Sequence, residues 1–72
     1  MIRPHWLPQA LEFVRKRQGP VLAGEVALHL GPYCSLKDAE EVLGLLVQEG
    51  KIRFLTAEEL RFKDYRLGYI AV

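Results

Sequence analysis

Apolar and polar positions change their period twice along this chain, and the changes divide it into elements. The clearest run is Ser35 to Gly50, SLKDAEEVLGLLVQEG. Leu36, Ala39, Val42, Leu43, Leu46 and Val47 recur at helical spacing and predict one buried stripe. The Ser35 hydroxyl can accept an orphan backbone N–H at the start of that helix. Asp38, three residues on, completes a capping-box-like pair and suits the positive end of the dipole. Gly50 follows the last periodic residue, where a left-handed conformation ends a helix.

Upstream, Leu7, Ala10, Leu11 and Val14 follow i, i+3, i+4, i+7 spacing, and Phe13 widens the stripe. Pro8 suits the first helical position, where its missing N–H does no harm. Residues 1–7, with Pro4 and Trp6, therefore read as an extended arm. Arg15, Lys16 and Arg17 crowd the last turn, where cations complement the dipole, and Gly19-Pro20 stops the helix. Val21-Leu22 reads as a very short strand. Ala23 to Leu30 reads as a second helix with Val26, Ala27 and Leu30 inward, closed by Gly31-Pro32. The turn Gly31-Pro32-Tyr33-Cys34 then gives helix–turn–helix spacing.

After Gly50 the period shortens. Lys51 to Leu55, KIRFL, alternates, with Ile52 and Phe54 (or Leu55) on one side and Lys51 and Arg53 on the other, which predicts a strand. Thr56 to Leu60 is either a hairpin tip or, from its TAEE capping pattern, a single helical turn. Arg61 to Val72 reads as the returning strand and a C-terminal extension. Gly68 marks a bulge or the strand's end. Tyr69 to Val72 is a free tail or pairs with a neighbour. The expected class is α+β: an arm at 1–7, three helices within 8–50, and a two-stranded hairpin with a C-terminal strand within 51–72, all in one domain.

Seventy-two residues, half of them apolar, suffice for one small core. So small a core makes a homodimer an expectation of the sequence. The single cysteine, Cys34, excludes an internal disulfide. No apolar run reaches membrane-spanning length and the N-terminus lacks a secretory pattern, so a soluble, cytoplasmic protein is expected. The net charge of +1 neither supports nor excludes nucleic acid. Its distribution is more informative: residues 1–34 carry four cations and two anions, 35–50 one and four, and 51–72 five and three. The central helix is acidic between mildly basic flanks.

The order helix, short strand, helix, turn, helix, hairpin resembles the winged helix–turn–helix domain of transcription regulators. The resemblance covers roughly Pro20 to Leu67. It rests on Leu30-Gly31 ending the second helix, on Val42, Leu43 and Leu46 in the third, and on Glu49-Gly50-Lys51-Ile52 leading into the wing. Tyr65-Arg66-Leu67 resembles the tyrosine-centred returning strand of bacterial metal-responsive and multidrug-responsive repressors. It implies a three-helix fold with a hairpin wing, and a third helix that enters the major groove of double-stranded DNA.

The outward residues of that helix are Lys37, Asp38, Glu40, Glu41, Gly44, Leu45 and Gln48. Carboxylates near phosphates meet repulsion rather than gaining counterion release. The DNA contacts expected from the sequence are therefore Ser35 and Lys37 at the helix start, and a basic wing of Arg53, Arg61, Lys63 and Arg66. The competing reading is an interaction or dimerisation module, using the acidic helix with Leu45 and Trp6 as exposed apolar contacts. Trp6 folded back over the core end is the plainer alternative. Solubility and edge protection also explain the wing cations without DNA. No enzyme signature is present: one Cys and two His do not make a four-ligand zinc site, and the glycines form no phosphate-cradling loop. Neither a cofactor nor a small-molecule substrate is expected.

Overall fold

The computed structural model describes residues 2–17, 19–55 and 68–72. Three helices, α1 (Trp6–Lys16), α2 (Ala23–Leu30) and α3 (Leu36–Gln48), precede strands β1 (Ile52–Phe54) and β2 (Tyr69–Ala71). The strands pair antiparallel, with Ile52 opposite Ala71, Arg53 opposite Ile70 and Phe54 opposite Tyr69. Val21, between α1 and α2, bridges Tyr69 from the other side. Tyr69 thus lies between Val21 and Phe54 in a small three-membered arrangement. The α+β layout expected from the pattern is the one observed.

The third helix follows its signals closely. The Ser35 Oγ accepts from the Asp38 amide at 3.1 Å, and the Asp38 carboxylate accepts from the Ser35 amide at 3.3 Å. At the other end the Gly50 amide donates to Val47 and the Lys51 amide to Leu46, at 2.9 and 3.0 Å. That pattern needs a left-handed residue, and Gly50 has φ +74°. Ala39, Val42, Leu43 and Leu46 are buried, whereas Leu36 and Val47, at the two ends of the expected stripe, are exposed. At the helical period both fall on the same flank of the stripe, at its edge rather than over the core.

The first helix begins earlier than the arm reading allows. Trp6 is its first residue and is only 2% exposed, in one cluster with Ala10, Leu11, Val14, Val26, Leu43 and Leu46. Pro8 is then the third helical residue rather than the first. This costs nothing, because the first four helical N–H groups have no partner inside the helix. The Trp6 and Leu7 amides bond instead to Arg3 and Pro4 carbonyls, at 3.0 and 3.3 Å. Burial of a large ring outweighs the preference for proline at the first position.

The strand side carries two more differences. Leu55 is buried and Phe54 is 46% exposed, so the open alternative in KIRFL falls to Leu55. Tyr69 to Ala71 is the returning strand, not a free tail. The turn or hairpin tip expected at Thr56 to Leu60, and the strand expected around Tyr65-Arg66-Leu67, lie outside the described residues.

Candidate functional site

Among the described residues, those singled out in the sequence fall on separate elements: Ser35, Lys37 and Leu45 at or on α3, Arg53 on β1 and Trp6 on α1. Ser35 is exposed, but its hydroxyl oxygen serves the cap and the Asp38 carboxylate occupies the adjacent amide. The Ser35 amide hydrogen bond holds the Asp38 carboxyl below the usual aspartate range. The start of α3 is thus already supplied with an anion. Lys37 is exposed on the first turn. Arg53 is exposed on β1, with Nη1 donating to the Phe54 carbonyl at 3.2 Å. Arg61, Lys63 and Arg66 lie outside the described residues.

Trp6 does not fill the role of exposed contact, since the core encloses it. The Arg3 guanidinium lies over its ring, 5.8 Å from the centroid, and 5.1 Å from that of Tyr33. Leu45 is 37% exposed on α3, so the two residues do not form one exposed apolar surface.

Two of the three cations at the end of α1, Lys16 and Arg17, have carboxylate partners, and Arg15 is exposed. Lys16 pairs with Glu12 at 2.9 Å, and Arg17 pairs with Glu25 across to α2. The Lys16 contact holds the Glu12 carboxyl below its ordinary value. Arg17 also lies over the Phe13 ring, 5.2 Å from its centroid, and Phe13 stacks on His29 at 4.4 Å. The Arg17–Glu25 and Phe13–His29 contacts tie α1 to α2.

A different cleft brings three elements together. Leu22 and Ala23 at the start of α2, Glu40 on α3, and Phe54, Gly68 and Tyr69 on the sheet line a space of about 260 Å³. Phe54 and Tyr69 are cross-strand partners, and their rings sit 4.1 Å apart at 45°. Burial raises the Tyr69 hydroxyl pKa, and the Glu40 charge raises it further. The Leu22 amide donates to the Glu25 carboxylate at 3.1 Å, which supplies the positive end of α2 with its own anion.

Charge pairing separates the glutamates. Glu12, Glu25 and Glu49 each have a cation, the last being Lys51 at 3.7 Å. Among the described residues, Glu40 and Glu41 have none. The sequence pointed to their acidity but not to this cleft.

No metal-binding cluster of His, Cys, Asp or Glu occurs among the described residues. Among them, no helix is long and apolar enough to cross a membrane. No family model, no curated protein and no solved structure matches the chain.

Proposed function

We propose that this chain is a winged-helix interaction module, which docks a protein partner on the side where α3, the start of α2 and the sheet meet. Its work is binding rather than catalysis. The winged-helix part of the reading is supported by the sheet order, with Val21 and Phe54 on opposite sides of Tyr69, next to three helices packed on one core. The observation that carries the reading is the outward face of α3, where Glu40 and Glu41 are exposed and lack a cation among the described residues. A helix inserted in a DNA groove with those groups leading would bring carboxylates toward phosphates. The same charges suit a basic protein surface.

A second reading retains DNA, contacted along its backbone by a basic wing. It is favoured by the exposure of Lys37 and Arg53. Size-exclusion chromatography with light scattering, run with and without a random duplex at low salt, separates the two. The interaction reading expects the chain's mass to be unchanged by duplex. Co-elution with duplex, lost as salt is raised, would overturn it in favour of the wing. The run without DNA also measures the homodimer expected from the small core.

A further inference from the structure

The cleft between α2, α3 and the sheet combines features that are unusual on so small a surface. Its walls are apolar or aromatic: Leu22, Ala23, Phe54 and Tyr69. Its charge is the carboxylate of Glu40, which has no cation among the described residues, whereas Glu12, Glu25 and Glu49 are all paired. The two rings, tilted at 45° to each other, both line it.

We propose that this cleft receives the side chain of a lysine or arginine carried by the partner protein, with the stem against Leu22 and Ala23, the cationic head at Glu40, and the rings of Phe54 and Tyr69 beside it. The proposal rests on the interaction reading above and specifies the chemistry of its partner. Aromatic faces attract cations through their quadrupole, and long basic side chains lay an apolar stem along apolar surface. An anionic occupant fits poorly. The generic attraction of a helix N-terminus for anions is already met at α2 by Glu25 on the Leu22 amide, and Glu40 repels a second anion. A purely apolar occupant would bury Glu40 without a partner, which is costly.

The test uses the full chain, labelled with nitrogen-15, and blocked amino acids as probes: N-acetyl-arginine amide, N-acetyl-lysine amide and the uncharged N-acetyl-norleucine amide. The two basic probes are expected to shift the amides of Leu22, Ala23, Glu40 and Tyr69 saturably, and norleucine to shift them far less. Glu40→Gln is expected to weaken arginine binding roughly tenfold, as loss of a charge-assisted contact does. Phe54→Leu, which keeps an apolar side chain at an exposed position, should weaken it about threefold through loss of the ring face. Both variants are compared by their amide spectra, which report whether the fold is kept.

Equal shifts from norleucine would reduce the cleft to an apolar groove and overturn the proposal. So would saturable shifts that survive Glu40→Gln unchanged, or no shift from either basic probe. A random duplex that shifts the same four amides would overturn both this proposal and the interaction reading. Silence from the basic probes, with no mass change on adding duplex, would sink the side-chain assignment alone.

Discussion

Val21 and Tyr69 exchange backbone hydrogen bonds in both directions, each 2.8 Å long. The contact ties the segment between α1 and α2 to the last strand. It also explains Gly68. A Cβ there would lie 2.9 Å from the Val21 carbonyl oxygen and 3.0 Å from the Pro20 Cβ. Backbone cannot yield as a flexible side-chain tip does. Gly68→Ala is therefore expected to destabilise the chain by about 1–3 kcal/mol, the usual scale of overpacking. Gly44, exposed in the middle of α3 with open space around its Cβ position, is the control. Gly44→Ala should stabilise by roughly 0.5–1 kcal/mol, since alanine restricts the unfolded chain and favours the helix. Urea denaturation followed by circular dichroism measures both, and a Gly68→Ala variant as stable as the parent would refute the close approach.

Trp6 reports directly on the start of α1. It is the chain's single tryptophan and is only 2% exposed. Its fluorescence should be blue-shifted in the folded chain, resist quenching by acrylamide, and shift to the red on unfolding. Emission like that of free tryptophan in native buffer would restore the exposed-arm reading. Deleting residues 2–6 should expose Leu11 and Val14, which belong to the same cluster, and lower the thermal midpoint.

The elements legible in the sequence were those with both a period and terminal signals. For α3, the Ser35–Asp38 box and Gly50 set the two ends, and the stripe between them set the buried face. The start of α1 was less legible, because Pro8 suits several first-turn positions while the burial of Trp6 depends on residues distant in sequence. The sheet was legible in kind but not in register. Three-residue strands offer almost no alternation to read, and Tyr69 to Ala71 pairs where it does because Val21 holds its far edge. The candidate cleft was not legible, since Leu22, Glu40, Phe54 and Tyr69 come from four separate segments and none has a marked local pattern.

Cys34 supplies a chemical test of the turn between α2 and α3. It is buried, and its Sγ lies 3.6 Å from the Ser35 carbonyl oxygen. Burial raises the thiol pKa, and the Asp38 charge raises it further. Since the thiolate is the reactive form, the native thiol should react with a disulfide reagent at pH 8 far more slowly than in denaturant. The native rate should rise on raising pH above the ordinary cysteine range. Equal rates in the native and unfolded chains would show that the turn does not cover the sulfur.

The cap of α3 predicts two variants with different pH behaviour. In Ser35→Ala the Asp38 amide loses its acceptor, at a cost of about 1 kcal/mol, as for other N-cap deletions. The hydroxyl oxygen accepts that hydrogen bond and does not titrate, so most of the loss should persist on acidification, and only the part by which the hydroxyl lowers the Asp38 pKa should fade. Asp38→Ala removes a carboxylate whose folded pKa is lowered by the Ser35 amide. A lowered folded pKa means that the contribution is full above the unfolded aspartate value and fades as pH falls through the folded value. Parent and Asp38→Ala should therefore differ in thermal midpoint at pH 6 and converge as the pH falls below the folded value. A difference that persisted unchanged under strongly acidic conditions would mean that Asp38 acts at this helix through helix propensity or packing, and not through its charge.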